Sequence, residues 1–325
     1  MSPQHRTDRV SGAVDALLRL IEELPVDTAG ELMEKLPPVH ELDYEPHRIR
    51  LAVSSTEIAV RLRSVEKEPF TVEWIEREIR PGDVFYDIGA NVGAYSLIAA
   101  KATGNGAQVF AFEPSAASFH DLSQNVLLNG CAESIAPLPF ALWSENGPLS
   151  LRGSSAVAGA ARHRIAAGHG LGEPGSLTIL AVTLDELIER FGLPVPTHAK
   201  IDTDGYELDV LRGAERTLAR PEWRSIIVEL DPGDTKRNRE IQRRLRDAGF
   251  DGGLRHTRLA SPNFPRPEGR PDVYWTFDRV QVSTARVQRL PVWRAGAIAA
   301  ALAVLTLLLL VLAGLPDGLA DRLGH

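Results

Sequence analysis

VFYDIGANVG, residues 84–93, joins an apolar run to a turn with two glycines, and a segment with helical periodicity follows. Residues 84–88 have the length and composition of a buried strand. Gly89 lets the chain turn sharply because it has no Cβ, and Gly93 lets a helix begin close to the strand. The stretch therefore predicts a strand, a tight turn and a helix, with main chain that a ligand can approach closely.

Apolar runs and amphipathic segments alternate on both sides of this unit. We predict further helices at 71–79, 92–103, 115–128, 206–218 and 235–248, and strands at 108–112, 199–201, 225–230 and 273–277. This alternation is typical of a parallel sheet with helices on both faces. The predicted fold is a doubly wound, mainly parallel α/β sheet spanning residues 71–278.

Composition divides the rest of the chain. Residues 1–70 are predicted to be helical and extended, and 152–176, rich in Gly, Ala, Ser and His without a period, to be a flexible insertion. A basic linker is predicted at 279–294 and a short tail at 316–325. The uncharged stretch 295–315 would span about 31 Å as a helix, the thickness of a bilayer core.

The charges around this stretch predict its orientation. Four arginines precede it and one cation, Arg322, follows it. By the positive-inside rule, the α/β domain would face the cytoplasm on a single C-terminal transmembrane helix. We therefore expect a membrane protein with a cytoplasmic domain.

Composition also limits the partners. A formal net charge of −7 argues against nucleic acid, because phosphate binding requires a basic surface. Cys131 is the only cysteine, which excludes an intramolecular disulfide and a cysteine-rich metal site. Small or neutral substrates fit this composition better.

Polar residues follow two successive predicted strands. Glu113 ends the second, where a carboxylate can accept hydrogen bonds from both hydroxyls of a ribose. The glycines at 89 and 93 have the spacing Gly-x-x-x-Gly, which lacks the pattern of a diphosphate-binding loop. The strand ends therefore predict a nucleoside site for a cofactor without a diphosphate.

Three acids, Asp202, Asp204 and Glu207, follow a later predicted strand. They could simply cap the next helix, because acids stabilise a helix N-terminus. Alternatively, one or two of them orient a substrate or remove a hydroxyl proton. No histidine accompanies them at ligand spacing, so no metal is expected. His163 and His169, in the insertion, are alternative bases.

The chain resembles a known family at these residues. YDIGANVGAYS, residues 86–96, resembles the opening motif of FkbM-type methyltransferases. Later blocks occur in matching order, and the resemblance covers about residues 70 to 278. The blocks are FEP at 112–114 with Asn125 and Asn129, TLD at 183–185, KIDTDGYE at 200–207, and VLRGA at 210–214.

This resemblance implies a Rossmann-like class I methyltransferase domain that binds S-adenosylmethionine. Asp87, Gly89, Asn91 and Gly93 would bind the cofactor at the first strand end, and Glu113 would hold its ribose. O-methylation of a small molecule, a saccharide or a lipid-linked intermediate at the membrane is the expected reaction, with the three acids Asp202, Asp204 and Glu207 as the catalytic candidates.

Two other functions remain open. A degenerate membrane-attached binding module would explain Ala94 and Asp204, which stand where the family usually has an acidic residue and Glu, respectively. A nicotinamide-dependent oxidoreductase would share the fold and the ribose acid, but the diphosphate glycines are missing. Methyl transfer is therefore the leading prediction.

Overall fold

The computed structural model describes residues 38–152, 164–166, 176–257 and 273–280, with the short pieces 19–20, 23–25 and 27–28. Its helices are α1 (Thr56–Arg61), α2 (Ser64–Lys67), α3 (Pro69–Glu78), α4 (Ala94–Ala102), α5 (Ala116–Leu128), α6 (Leu184–Glu189), α7 (Glu207–Arg212), α8 (Glu215–Leu218) and α9 (Thr235–Asp247). Its strands are β1 (Val39–Glu41), β2 (Arg50–Ala52), β3 (Val84–Ile88), β4 (Gln108–Phe112), β5 (Ile135–Leu138), β6 (Ala141–Leu142), β7 (Gly147–Arg152), β8 (Arg164–Ala166), β9 (Ser176–Val182), β10 (His198–Ile201), β11 (Ser225–Leu230), β12 (Phe250–Thr257) and β13 (Val273–Arg279).

A seven-stranded sheet forms the centre of the domain, in the order β12-β13-β11-β10-β3-β4-β5. Each strand pairs in parallel with the next one from β11 through β10, β3 and β4 to β5. Strand β13 is antiparallel to both β11 and β12. The predicted doubly wound, mainly parallel sheet is therefore confirmed. The chain leaves β3 through β4 and β5 on one side and returns through β10 on the other, and ligands bind at such a switch point.

Strand β3 separates the two larger hydrophobic cores of the described residues. Val84, Tyr86 and Ile88 pack in one core and Phe85 packs in the other. All five residues of the strand are buried. Because helices cover both faces of a parallel sheet, its central strands are buried on both sides and mainly apolar, and Asp87 is the one charged residue of β3.

The predicted helix 206–218 is two helices, α7 and α8, in the structure. Asp185 accepts hydrogen bonds from the backbone amides of Arg216 and Thr217 and from the Thr217 hydroxyl, so its carboxylate caps the start of α8. Between the helices, a Cβ at Gly213 would overlap the carbonyl group of Trp143. The helix is interrupted here because the Asp185 carboxylate and the close contact between Gly213 and Trp143 fix the path of the backbone.

A smaller sheet, in the order β6-β9-β7-β8, lies within the α/β domain sequence. Strands β7 and β9 flank the predicted insertion 152–176, and three of its residues, Arg164–Ala166, form β8. The rest of that insertion lies outside the described residues. The small sheet thus brings the chain on either side of the insertion together.

The hairpin of β1 and β2 is attached to α5 by two asparagines. Asn125 accepts a hydrogen bond from the backbone amide of Ala52, and Asn129 accepts one from the amide of Arg50, at 2.9 and 2.8 Å. Both asparagines belong to the sequence blocks that resemble the FkbM family. Their contacts here join the part of the chain before the α/β domain to that domain.

The predicted C-terminal membrane anchor is corrected by the structure. Among the described residues, no helix is both long and apolar enough to cross a membrane. The longest, α5 and α9, have 13 residues each, or about 20 Å, whereas a bilayer core requires about 30 Å. Residues 295–315 lie outside the described part of the chain. The predicted transmembrane helix, and the single-pass membrane localisation that depended on it, are therefore unsupported.

Candidate active site

A cleft opens at the carboxyl ends of β3, β4 and β10, beside the switch point. It is partly open to solvent, and its lining is both apolar and polar, as in small-molecule sites. Its lining residues are Ile88, Gly89, Asn91, Phe112, Glu113, Pro114, Phe140, Ala141, Leu142, Trp143, Leu151, Asp202, Thr203, Asp204 and Tyr206. Five of the eight predicted site residues meet in this cleft.

Glu113 forms the acidic wall of the cleft, directly after β4. It is 5% exposed, and its two carboxylate oxygens accept hydrogen bonds from the amides of Asn91 and Ser115, at 2.9 and 2.8 Å. Burial raises its pKa to about 7, although both amide bonds oppose the shift. Each oxygen keeps a lone pair that a ribose hydroxyl can use.

The turn after β3 forms the floor of the cleft. Gly89 has a φ of +83°, and a Cβ there would overlap the carbonyl oxygen of Asp202. Asn91 has a φ of +52°, and its side chain accepts a hydrogen bond from the amide of Val92. A left-handed backbone is unfavourable for residues with a Cβ. The close contact with Asp202 thus requires glycine at position 89, and Asn91 stabilises the turn locally.

Two predicted cofactor residues lie behind this turn and do not line the cleft. Asp87 is fully buried and accepts a hydrogen bond of 2.6 Å from the Ser96 hydroxyl. A Cβ at Gly93 would meet the Leu122 side chain of α5 at 2.5 Å. In this structure, Asp87 and Gly93 hold α4 close to the sheet and so support the turn from behind.

The three predicted catalytic acids have different surroundings. Asp202 and Asp204 line the cleft, and Asp204 has a φ of +54°. Glu207 is 2% exposed and points back at the loop before it. Its Oε1 accepts hydrogen bonds from the amides of Thr203 and Gly205, each at 3.0 Å.

Glu207 is fixed by its other oxygen as well, because Oε2 forms an ion pair with Arg237 of α9. Burial is the largest influence on its pKa and raises it, and the Arg237 charge opposes the shift. A carboxylate with this many partners cannot readily accept a proton from a substrate. Its geometry is that of a residue that shapes the loop carrying Asp204.

The apolar wall of the cleft was not predicted from the sequence. Phe140 and Leu142 come from the segment after β5, and Leu151 comes from β7 of the small sheet. At the same wall, the rings of Trp143 and Tyr206 lie 5.2 Å apart. No sequence motif marks these positions. The only available signal was the apolar run 138–143, which contains β6, and β6 pairs with β9, a strand distant in sequence.

The cleft fits S-adenosylmethionine. Glu113 offers acceptors for a ribose, the apolar wall can pack against a flat purine ring, and Gly89 lets a ligand approach the main chain. Asp202 and Asp204 add negative charge, which suits a sulfonium cation. These groups thus complement the ribose, the purine ring and the sulfonium of this cofactor.

Comparisons with known proteins agree with this geometry. The family model described as methyltransferase FkbM domain matches residues 87–251. The hexuronic acid methyltransferase AglP of Haloferax volcanii is 31% identical over 217 residues, which is 63% of this chain and 84% of that protein. The methyltransferase sdnD of Sordaria araneosa is 25% identical over 222 residues, or 59% of this chain and 83% of that protein.

Among solved structures, methyltransferase FkbM from Methylobacillus flagellatus KT has a TM-score of 0.40 and 13% identity, covering 61% of this chain and 44% of its own. That likeness is too distant to inform the site. The family match spans half of the chain and decides against the oxidoreductase alternative. The chain belongs to the FkbM methyltransferase family, and it is an S-adenosylmethionine-dependent methyltransferase.

Proposed function

We propose that this methyltransferase methylates an oxygen atom of a saccharide. The observation that carries the proposal is the pairing of two carboxylates, Asp202 and Asp204, with the neighbouring rings of Trp143 and Tyr206 in one cleft. Aromatic rings provide apolar faces for the C–H groups of a sugar, and carboxylates accept hydrogen bonds from its hydroxyls. The relative AglP, whose name specifies a hexuronic acid, supports the same substrate class.

The residues divide the work between the two ends of the cleft. Glu113 would hold the ribose, and Gly89 would leave room for the cofactor along the main chain. The cofactor supplies a methyl group on a sulfonium sulfur, which an oxygen nucleophile can accept. Alignment of that oxygen supplies most of the rate enhancement in such a transfer.

Asp202 and Asp204 would act on the acceptor in different ways. The ammonium of Lys200, 2.8 Å from Asp202 Oδ2, holds the pKa of Asp202 well below its usual range against the opposing effect of burial. So weak a base orients a hydroxyl better than it deprotonates one. Asp204, on the exposed side of the loop, would receive the hydroxyl proton as the C–O bond forms and the C–S bond to the methyl group breaks, which leaves a neutral thioether.

Methyl transfer to defined acceptors tests this proposal. The purified protein is incubated with S-adenosylmethionine carrying a radiolabelled methyl group and with hexuronic acid glycosides, neutral hexosides or hydroxylated aromatic compounds. Label should enter one of the two sugar classes, and mass spectrometry should place it on oxygen. Transfer to the aromatic compounds alone would overturn the saccharide assignment.

A substitution tests the role of Asp204. Asp204→Asn should lower turnover by about 10²–10⁴-fold while S-adenosylmethionine still binds in a calorimetric titration. The matched control is Asp209→Asn, which removes a carboxylate that pairs with Arg212 on α7 and does not line the cleft. Equal activity of the two variants would show that Asp204 takes no proton.

A further inference from the structure

A cluster of ionisable side chains lies on the inner side of the cleft, where β3, β10, β11 and β13 lie side by side; Lys200 and Asp87 are buried, and Asp202 and Glu229 are half-buried. Lys200 is 2% exposed, and its ammonium lies 2.8 Å from Asp202 Oδ2 and 4.0 Å from Asp87 Oδ1. The same ammonium lies 5.0 Å from the ring centroid of Tyr95. A buried cation requires such partners, because its desolvation is otherwise costly.

Glu229, which was not predicted as a site residue, joins this cluster from β11. In the parallel register of β10 and β11, Ile201 is opposite Val228, so the next residues, Asp202 and Glu229, are neighbours at the strand ends. Side chains at these two positions lie on the same face of the sheet, so the two carboxyl groups are placed within hydrogen-bonding reach of each other. Across the other edge of β11, Glu229 is opposite Tyr274, whose hydroxyl donates to Asp202 Oδ2 at 3.3 Å.

Two carboxyl groups can form a direct hydrogen bond only if one of them carries a proton. The charge of Lys200 favours the ionised form of Asp202. Burial, and then the negative charge of Asp202, raise the pKa of Glu229 well above its usual range. Burial and these charges favour a protonated Glu229 beside an ionised Asp202.

The other ionisable groups of the cluster do not change this assignment. Burial is the largest influence on the pKa of Asp87 and raises it, and Lys200 opposes the shift. Asp204 and Glu207 also raise the pKa of Glu229. The ionisable groups that surround the Asp202 and Glu229 pair are Lys67, Glu68, Asp87, Tyr95, Lys200, Asp204, Glu207 and Tyr274.

We propose that Glu229 is a positioning residue whose protonated carboxyl group donates a hydrogen bond to Asp202 and holds that carboxylate at the acceptor end of the cleft. With Lys200 and Tyr274, it gives Asp202 a third donor from a third strand. Three donors from β10, β11 and β13 restrict the Asp202 side chain to one orientation. The meaning of that orientation for the acceptor rests on the proposed function, whereas the hydrogen bond itself does not.

Carboxyl carbon NMR tests the protonation state without any acceptor. The full chain is labelled with glutamate carrying ¹³C at Cδ, and the spectra are recorded from pH 5 to pH 8. One resonance should keep the shift of a protonated carboxyl group up to pH 8 and should be missing from Glu229→Gln. If the resonance missing from that variant has the shift of a carboxylate at pH 7, the proposal is overturned.

Turnover separates positioning from mere packing, once the acceptor screen has supplied a substrate. Glu229→Gln retains a hydrogen-bond donor and should keep kcat within about threefold of wild type. Glu229→Leu has no donor and should lower kcat at least about tenfold, because one hydrogen bond to a charged group is lost. S-adenosylmethionine affinity, measured by calorimetry, should stay unchanged in both. Exposed Glu215→Gln is the control.

The results distinguish the two proposals. Equal kcat in the Gln and Leu variants would overturn the role of Glu229, whether both keep the wild-type value or both lose it. If no acceptor is methylated, the proposed function fails, and the NMR titration still decides whether Glu229 donates to Asp202.

Discussion

Replacing Glu113 by Gln should remove one source of the pH dependence of both stability and cofactor affinity near neutrality. The pKa of Glu113 rises from 4.5 to about 7 on folding, and one pKa unit is about 1.4 kcal/mol, so ionising this carboxyl costs about 3 kcal/mol more in the folded protein than in the unfolded chain. A raised pKa gives stability that is complete below pH 4.5 and lost as the pH rises through about 7. Gln cannot ionise, so it removes this loss.

The free energy of unfolding of the cofactor-free protein shows the effect directly. Between pH 5 and pH 8, wild type should lose about 2 to 3 kcal/mol more than Glu113→Gln in urea titrations. Only the difference in pH dependence is diagnostic, because the Gln amide also turns a donor toward one of the two backbone amides and destabilises the variant at every pH. Glu215→Gln, on the exposed side of α8, should follow the wild-type curve.

Cofactor binding should change in the opposite direction. If the ribose hydroxyls donate to the ionised carboxylate, S-adenosylmethionine affinity of wild type rises about tenfold from pH 6 to pH 8, because the ionised fraction rises from about a tenth to about nine tenths. In Glu113→Gln, affinity should be flat over this range and about 10 to 100-fold weaker at pH 8. Parallel pH curves for the two proteins, in unfolding and in binding, would refute both the burial argument and the ribose assignment.

Three further substitutions test the support of the site. Gly89→Ala should destabilise the protein by more than about 2 kcal/mol and abolish cofactor binding, since its Cβ would overlap the Asp202 carbonyl at a positive φ; a wild-type melting temperature would contradict the contact. Asp185→Ala should cost about 2 to 4 kcal/mol of stability in urea titrations through loss of the α8 cap. Cofactor affinity should stay unchanged, and a weaker affinity would show that this acid acts on the ligand. Arg237→Met should leave the Glu207 carboxylate without its buried counter-ion and lower stability at pH 8 by about 3 to 5 kcal/mol. Because that loss comes from the charge of the carboxylate, the stability at pH 4 should be much less affected.

The strands were predictable where they are mostly buried. The predicted bounds of β3, β4 and β11 coincide with those of the structure, because each is a short apolar run between turn residues. Strands β7 and β9 escaped prediction because they pair with each other across the insertion, and nothing in either segment specifies a partner so distant in sequence. The broken helix at Gly213 escaped for a similar reason, since its cause is a contact with Trp143.

The candidate site was predictable in position more than in detail. Glu113 and Gly89 follow from the rule that ligands bind at the carboxyl ends of parallel strands. That rule does not give side-chain direction, and Glu207 turns back onto its own loop while Asp204 lines the cleft. Glu229 was invisible in the sequence, because an acid at the end of a strand is ordinarily solvated, and only the register of β10 and β11 brings it against Asp202.

The contact between Gly89 and the Asp202 carbonyl also limits how the enzyme can evolve. The turn that faces the cofactor and the loop that carries the acids meet at the main chain of Gly89 and Asp202, so neither can be displaced to enlarge the cleft without displacing the other. Because backbone is far harder to reshape by single substitutions than side chains are, a new acceptor is most easily accommodated by changes at Trp143 and Tyr206, whose rings lie on the wall of the cleft. Acceptor diversity within such a scaffold should therefore concentrate at its rim, while the floor stays constant.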